Sequence, residues 1–362
     1  MNKKDVLKFY KNKRVLITGN TGFKGTWMTK VLLMAGANIV GYSLDNPSNP
    51  SLYELAGIGN SITTIYGDVR DFDKLSDVFK KFQPEIVFHL AAQPIVRESY
   101  IHPRETYETN VMGTVNVCEC VRLNKSVCSF VNVTTDKVYK NNEWCWGYRE
   151  CDMLDGYDPY SNSKSCSELV THAYINSFFG VNKEYAMVPV STVRAGNVIG
   201  GGDFAKDRII PDCVRAVLNK NDLVIRNPHS IRPYQHVLEP IILYLIIAYE
   251  QLNDYQKAGF YNVGPDDSDC IDTECLVSTF KKFYGDNFKY IVEDKNQYDF
   301  HEANYLRLDN SLVKKVFNWR PTWHIEEAVE HTVDWIKEWC RDSSIKNVNQ
   351  VMEKQIYDFL EL

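Results

Sequence analysis

Short apolar runs recur through the first 194 residues and are separated by stretches long enough to form helices. Such runs are typical of parallel strands that are buried on both faces of a sheet. Their alternation with helical stretches predicts an α/β fold with one doubly wound parallel sheet. The predicted strands are residues 14–18, 38–43, 62–66, 86–92, 127–134 and 184–193, and the clearest helices are residues 103–123 and a stretch that begins at Pro159.

The alternation breaks after Arg194. Residues 194–203 are rich in glycine and are predicted to form a loop. A helix over 209–218, a strand over 223–226, a long helix over 237–252 and a strand over 260–263 follow. We therefore predict two interleaved lobes, with residues 1–194 and 229–263 in the larger one and residues 195–228 and 264–362 in a smaller α/β one.

The first predicted strand runs into a glycine-rich turn and then a helix that ends near Ala35. In such a unit Gly19 permits a tight turn, Gly22 lets the backbone approach a pyrophosphate at the helix N-terminus, and Gly25 allows close packing of helix on strand. The spacing is G-x-x-G-x-x-G, yet its place between strand and helix indicates a Rossmann-type dinucleotide site. The candidate contacts in this turn are Gly19, Thr21, Gly22, Phe23, Lys24 and Gly25.

Further candidates for the dinucleotide follow the next predicted strands. Asp45 lies about twenty residues after the glycine turn, where a carboxylate bonds a ribose diol and repels a 2′-phosphate, which favours NAD over NADP. Asp68 follows the third strand and suits an adenine amino group. His89, in the fourth strand, is expected to be a hydrogen-bonded structural residue. The remaining candidates for the cofactor cleft are Val69, Leu90, Ala91 and Ala92.

Composition excludes several other functional classes. Hydrophobic residues make up 44% and charged residues 24% of the 362 residues, and the net charge of −6 argues against a nucleic-acid surface. The ten cysteines contain no Cys-x-x-Cys pair and are expected to be reduced thiols, with no metal site. Residues 1–13 do not resemble a signal peptide, and the longest apolar run is too short for a bilayer. We therefore expect a cytoplasmic protein with no membrane partner.

A candidate catalytic pair lies in the first turns of the helix that begins at Pro159. Asp158 can cap this helix, and Pro159 suits its first position. Tyr160 and Lys164 then lie one turn apart on the same face. Because an ammonium beside a phenol stabilises the phenolate, we expect the pKa of Tyr160 to be lowered, which makes this residue a candidate base for a sugar hydroxyl.

Thr135, Asp136 and Lys137 follow the fifth predicted strand. They lie at the carboxyl edge of the sheet, as does the glycine turn. A hydroxyl, a carboxylate and an amine therefore converge on the cleft that holds the Tyr160 helix.

Taken together, these segments resemble the extended short-chain dehydrogenase/reductase family, in which Thr135, Tyr160 and Lys164 match the catalytic triad. The similarity runs from about residue 9 to 340. It is most evident for the branch of nucleotide-sugar dehydratases that act on cytidine diphosphate sugars. The stretches that carry it are residues 18–25, 41–45, 49–52, 134–137, 194–203, 226–229, 231–240 and 301–306.

The resemblance implies an internal redox elimination on a nucleotide hexose, with NAD as a cofactor that is regenerated in each cycle. It implies that Tyr160 takes the proton of the C4 hydroxyl and that Thr135 bonds the C4 oxygen. Related dehydratases that act on other nucleotides carry Glu at the position of Lys137. We hypothesise that Lys137 is the base at C5 and that Asp136, held protonated, is the acid at C6.

The resemblance also implies substrate contacts and a homodimer. Arg208 and Arg232 are expected to bind the diphosphate, because a guanidinium suits bidentate phosphate contact. Asn197 and His236 are further candidates in the same pocket. Helices within residues 109–123 and 160–179 carry apolar positions on more than one face, which favours a helical interface between two subunits.

Two other functions remain open from the residues. A nucleotide-sugar epimerase or decarboxylase on the same scaffold would use the triad without the acid and base at Asp136 and Lys137. A dinucleotide sensor without catalytic activity would need the glycine turn but not the Tyr160 and Lys164 pair.

Overall fold

The computed structural model describes residues 3–180, 187–293 and 304–361, and a seven-stranded parallel sheet forms its centre. In chain order the strands are β1 (Arg14–Thr18), β2 (Asn38–Ser43), β3 (Thr63–Tyr66), β4 (Ile86–His89), β5 (Ser129–Thr135), β6 (Val190–Ala195), β7 (Val198–Ile199), β8 (Leu223–Ile225), β9 (Ile231–Pro233), β10 (Gln235–His236), β11 (Phe260–Val263), β12 (Cys270–Asp272) and β13 (Tyr290–Val292). The sheet order is β11-β6-β5-β4-β1-β2-β3. Because the chain order reverses between β1 and β4, a crevice is expected beyond the carboxyl ends of these two strands.

Helices pack on both faces of the sheet. They are α1 (Lys3–Tyr10), α2 (Phe23–Met34), α3 (Leu52–Leu55), α4 (Phe72–Phe82), α5 (Val96–Ile101), α6 (Pro103–Tyr107), α7 (Gly113–Leu123), α8 (Pro159–Tyr174), α9 (Ile209–Asn219), α10 (Leu238–Asn253), α11 (Thr273–Tyr284), α12 (Ser311–Phe317), α13 (Ile325–Arg341) and α14 (Ile345–Leu360). In β1, Val15 and Ile17 belong to one apolar layer and Leu16 to the other. This burial on both faces explains why β1 and β4 carry uninterrupted apolar runs.

The predicted doubly wound α/β fold is confirmed. The first five strands lie where the apolar runs placed them, and β11 pairs in parallel with β6 at the edge of the sheet. The sixth strand begins at Val190, and residues 184–186 of its predicted span lie outside the described residues. The predicted helix over 103–123 is present, with a π turn at Glu108–Met112 between α6 and α7.

Besides the start of the sixth strand, two predicted boundaries are wrong. The strand predicted over 86–92 ends at His89, because the chain turns there and the Leu90 and Ala91 amides bond the Thr18 carbonyl and hydroxyl. Residues 194–203 are not all loop. β6 extends to Ala195, and β7 pairs with β10, which brings this segment against the start of α10.

A set of small sheets flanks the carboxyl edge of the main sheet. β12 pairs antiparallel with β9, and β13 pairs in parallel with β8. The segment after residue 303 continues this arrangement, since Tyr305 forms a bridge with Ile231 and Leu308 with Tyr148. The loop after β5 is thereby joined to the β9 segment that carries Arg232.

Candidate active site

The glycine turn after β1 is shaped by close backbone approaches. Gly19 has φ +78°, and a Cβ there would lie 2.8 Å from the Ala91 nitrogen. A Cβ at Gly25 would lie 2.1 Å from the Gly19 carbonyl oxygen, so α2 packs directly on the turn. Gly22 is the N-cap of α2. The turn therefore leaves a bare backbone and a helix N-terminus facing the crevice, which suits an anionic group.

The neighbouring strand ends complete this side of the crevice. The Thr21 hydroxyl lies 2.7 Å from the Ser43 hydroxyl, which ties the turn to the end of β2. Asp45 is exposed just beyond β2, and its carboxylate accepts the Asn46 amide at 2.8 Å. Asp68 already accepts two bonds from the Arg70 guanidinium. The other predicted cofactor residues lie around this crevice: Phe23 and Lys24 in the first turn of α2, Val69 buried beside Gly113, and Leu90, Ala91 and Ala92 after β4.

Helix α8 begins as its sequence predicts. The Asp158 carboxylate accepts the Ser161 amide at 3.0 Å, and Pro159 occupies the first turn. Tyr160 is 9% exposed and Lys164 is 4% exposed, so both side chains are buried against the sheet. The Lys164 ammonium donates to the Val133 carbonyl at 3.2 Å.

The prediction that Lys164 lowers the pKa of Tyr160 is wrong in this structure. Burial, which disfavours the phenolate, raises the pKa of Tyr160 to about 12, against the lowering effects of a hydrogen bond with Thr135 and the Arg208 charge. Burial also lowers the pKa of Lys164 to about 8, partly opposed by Glu168. The Lys164 ammonium bonds the Val133 carbonyl near the end of β5. Burial is the largest cause of the pKa shifts of both Tyr160 and Lys164.

Thr135, Asp136 and Lys137 form a single turn at the end of β5. The Thr135 hydroxyl donates to Asp136 Oδ1 at 3.0 Å and accepts the Lys137 amide at 3.4 Å. Asp136 is 2% exposed, and its Oδ2 has no hydrogen-bond partner among the described residues. Burial raises the pKa of Asp136, although the Lys137 charge, the Thr135 bond and the Arg232 charge oppose it. The net effect shifts this carboxyl toward its protonated form.

Three cations surround this turn. Arg208 donates to Asp203 at 3.2 Å, and its charge acts on both Tyr160 and Lys24. Arg232 is 4% exposed, and its charge acts on Asp136. Burial and the Arg208 charge lower the pKa of Lys24 to about 8. The structure therefore brings these residues together with the triad, and the crevice is electropositive.

Of the two remaining predicted substrate residues, His236 does not join this cluster. His236 is fully buried, with its ring centroid 4.8 Å from that of Trp323 and 6.1 Å from that of Trp27. Its ring lies in the apolar core, because β10 directs it there. Asn197 is half-buried in the loop between β6 and β7, where its carbonyl accepts the Gln235 amide. His89, as predicted, is a hydrogen-bonded strand residue, 2.7 Å from the Thr18 hydroxyl.

Sequence reasoning missed two charged residues near the site. Glu168, one turn after Lys164, forms a buried ion pair with Arg194. The available signal was an acidic residue four positions after Lys164, on the same face of the helix. Arg307 has a buried Nε without a partner among the described residues, and its guanidinium lies over the Tyr305 ring. Tyr305 forms a bridge with Ile231, so Arg307 lies near the segment that carries Arg232.

The described residues show neither a metal-binding cluster nor a membrane-spanning helix. Residues 3–180, 187–293 and 304–361 contain no group of three or more His, Cys, Asp or Glu residues that could hold a metal ion. Within the same ranges, no helix combines the length and apolar character needed to cross a membrane. All ten cysteines are free thiols.

Comparison with known proteins links this geometry to a family. Residues 16–332 match the family model described as GDP-mannose 4,6 dehydratase. The chain is 47% identical over 335 residues to the CDP-glucose 4,6-dehydratase of Salmonella typhimurium, covering 92% of this chain and 93% of that protein. It is 27% identical to the CDP-paratose 2-epimerase of Salmonella typhi, covering 89% and 98% of the two chains.

Solved structures share the fold at lower identity. The dTDP-glucose 4,6-dehydratase of Bacillus anthracis in complex with NAD aligns with a TM-score of 0.73 and 20% identity, covering 91% of this chain and 97% of that one. The UDP-glucose 4-epimerase of Thermotoga maritima with UDP-glucose aligns with a TM-score of 0.76 and 19% identity, covering 90% and 99%. At this identity the alignments establish the architecture alone.

Proposed function

Because the chain belongs to the GDP-mannose 4,6 dehydratase family, we propose that it is an NAD-dependent nucleotide-sugar 4,6-dehydratase whose substrate is CDP-glucose. The product would be CDP-4-keto-6-deoxyglucose. The observation that carries the proposal is the turn Thr135–Asp136–Lys137 beside Tyr160, because dehydration needs an acid and a base in addition to the redox triad. The 47% identical relative supports the choice of nucleotide.

The residues of the crevice fit NAD. The bare turn at Gly19 and Gly25 has no room for a Cβ, and it presents the N-terminus of α2 to a pyrophosphate. Asp45 lies at the end of β2, where a ribose diol would be bonded. When bound, NAD+ would accept the C4 hydrogen of the sugar as hydride and return it at C6.

Tyr160 would take the proton of the C4 hydroxyl, and Thr135 would hold the C4 oxygen. The Thr135 hydroxyl is close enough to Tyr160 to lower its pKa, so one hydroxyl of the substrate can reach both. Because burial raises the pKa of Tyr160 to about 12, the phenolate needs cationic support during this step, which Arg208 supplies in the structure. Lys164 would add to this support.

Lys137 and Asp136 would carry out the elimination. The ketone at C4 acidifies the C5 hydrogen, Lys137 would remove it, and Asp136 would protonate the departing C6 hydroxyl so that water leaves. Asp136 suits the acid because burial raises its pKa and Oδ2 is unpaired. Lys137 must be neutral at that moment, since an ammonium cannot accept a proton.

Arg208 and Arg232 would bind the diphosphate, and Arg307 is a further candidate for it. Asn197 keeps its proposed contact with the substrate, whereas His236 is better explained as a core residue. The interleaved division into a lobe of residues 1–194 and 229–263 and a lobe of residues 195–228 and 264–362 is part of this proposal, with the substrate between them.

We further propose a cytoplasmic homodimer. Exposed apolar side chains on the helices from α5 to α8 support a subunit interface, namely Ile101, Tyr107, Met112 and Leu169. Ten free cysteines fit a reducing compartment. A monomeric mass by light scattering at micromolar concentration would contradict the dimer.

The proposed function is tested by incubating the protein with NAD+ and CDP-, dTDP-, GDP- or UDP-glucose and measuring the product mass. The proposal expects CDP-glucose to lose one molecule of water faster than the other three. A product of unchanged mass would instead indicate an epimerase. Denaturing the purified protein should also release nicotinamide cofactor, and finding none, with no activation by added NAD+, would contradict cofactor recycling.

A further inference from the structure

A buried carboxylate lies one helical turn beyond Lys164. Glu168 follows it by four residues in α8, so both side chains leave the helix on the same face. Glu168 is 1% exposed, and none of the steps proposed above uses it. A charged group is tolerated at such a position only when it is paired and hydrogen-bonded.

Four donors hold the Glu168 carboxylate. Arg194 in β6 donates from Nε to Oε1 and from Nη2 to Oε2, each at 3.0 Å. The Thr134 hydroxyl donates to Oε1 at 2.5 Å, and the Thr192 hydroxyl donates to Oε2 at 2.7 Å. Each carboxylate oxygen therefore accepts two bonds, and the donors come from β5 and β6.

Consecutive residues of β5 hold Lys164 and Glu168. The Val133 carbonyl accepts the Lys164 ammonium at 3.2 Å, and the next residue, Thr134, bonds Glu168. A displacement of α8 along β5 would break both contacts. Glu168 thus fixes the helix that carries Lys164 and Tyr160 against the strand that ends in the Thr135 turn.

The charged and titratable groups around Lys164 come from several elements. Burial lowers its pKa, and Glu168 is the group that raises it. His89 in β4 is buried and neutral, and the Lys164 charge helps to hold its pKa low, at about 3. Lys24 in α2 is affected by the Lys164 charge in the same direction. Among these neighbours, Glu168 supplies the negative charge.

We propose that Glu168 is a positioning residue that fixes the Lys164 ammonium at the end of β5 and keeps it charged while Tyr160 takes up a proton. Its partner Arg194 holds the carboxylate in place from β6. The inference rests on the proposed function for its activity measurement, whereas the charge state of Lys164 can be measured without any substrate.

The test replaces Glu168 with Gln and follows two quantities. The first is the pKa of Lys164 in the cofactor-free protein, from ¹³C NMR of Cε-labelled lysine with Lys164→Met for assignment, which should fall by about one unit or more. The second is the rate of C4 oxidation in a single turnover with CDP-glucose. It should fall about tenfold or more at neutral pH and recover in part where Lys164 is protonated, with KM changed less than about twofold.

Two further variants separate positioning from loss of folding. Glu168→Gln leaves the Arg194 charge buried without a partner, so Glu168→Gln with Arg194→Met removes both charges and should fold. In this double variant the pKa of Lys164 should stay below the parent value, as in Glu168→Gln. Gln251→Met is the matched control, because Gln251 ties α10 to β5 and β6 at their amino ends. It should lower stability and leave the Lys164 pKa and the oxidation rate unchanged.

The inference is overturned if the folded double variant has the parent Lys164 pKa and oxidation rate, or if Gln251→Met lowers both as much as Glu168→Gln. Loss of the proposed function has a different signature. In that case the parent protein removes water from none of the four nucleotide sugars, while the NMR titration still decides the role of Glu168.

Discussion

Two buried polar side chains tie helices to the same pair of strands, one at each end. Near the carboxyl ends of β5 and β6, Glu168 of α8 accepts four bonds, two of them from Arg194. At the amino ends, Gln251 of α10 bonds the Ser191 and Ser129 hydroxyls and two backbone carbonyls. A neutral amide therefore suffices to hold a helix on these strands. The ion pair occurs at the end that also holds Lys164, where a charge affects chemistry.

A third buried polar residue shows what an incompletely bonded carboxylate does. Glu239 in α10 accepts the Thr322 and Trp323 amides at 2.7 Å, while its Oε2 has no partner among the described residues. Burial raises the pKa of Glu239 to about 7. Glu168 and Glu239 are both inaccessible to water, and they differ in whether cationic and hydroxyl donors surround the carboxylate.

The largest effect is expected at Tyr160, where loss of the hydroxyl should affect catalysis and not packing. Tyr160→Phe should reduce C4 oxidation by on the order of 10³-fold, because the base is lost while the buried ring remains. The single-turnover rate with CDP-glucose measures it. Tyr244→Phe is the matched control, since its buried hydroxyl has no partner among the described residues and should be dispensable. Equal rates of C4 oxidation in the two variants would show that Tyr160 is not the base.

A pH-dependent effect is expected at Glu239. Burial raises its pKa from the ordinary value of 4.5 to about 7 in the folded state. Between these two pH values the unfolded chain loses the Glu239 proton while the folded protein keeps it, so the free energy of unfolding falls as the pH rises. Relative to Glu239→Gln, the parent protein should lose stability as pH rises through that window, by at most about 3 kcal/mol. Urea unfolding of both proteins at pH 5 and pH 8 measures the difference. The same difference at both pH values would show that Glu239 is not neutral in the fold.

Gln251→Met should destabilise the protein by about 2 kcal/mol, because buried carbonyls and hydroxyls lose their partner. The dehydration rate of the folded protein should stay within about twofold, since these bonds lie far along the strands from Lys164. Urea unfolding and initial rates measure the two quantities. A large loss of turnover with intact folding would show that both ends of the strands are coupled to the site.

The smallest expected effect is at Thr134. Thr134→Val removes one donor from Glu168 and keeps the side-chain shape, so a loss of about 1 kcal/mol in the free energy of unfolding is expected. The Lys164 pKa should move only slightly, because Arg194 and Thr192 still hold the carboxylate. A change in the Lys164 pKa as large as that caused by Glu168→Gln would mean that Thr134 alone fixes the Glu168 carboxylate.

The strands and helices predicted correctly from the sequence are those marked by neighbouring residues, such as an apolar run, a helix cap or a proline. β1 is buried on both faces and carries an uninterrupted apolar run, and α8 has its cap and proline at the expected places. The two-residue strand β7 has no period to detect, because its pairing with β10 depends on segments far apart in the chain.

The charge states of the site depended on tertiary packing. The spacing of Tyr160 and Lys164 was correct, but burial reversed the expected direction of the Tyr160 pKa. His236 was predicted in the pocket, yet β10 directs it into the core against Trp323. The partner of Glu168 comes from β6, 26 residues later, and only the sheet brings the two together.

The most direct test is whether Lys137 is the base at C5. In deuterated water, Lys137→Met supplied with CDP-glucose should still oxidise C4, so reduced nicotinamide and a 4-keto sugar accumulate. It should neither lose water nor exchange the C5 hydrogen, because no base remains there. Exchange at C5 at near the parent rate, with water lost as before, would contradict the assignment of the acid and base.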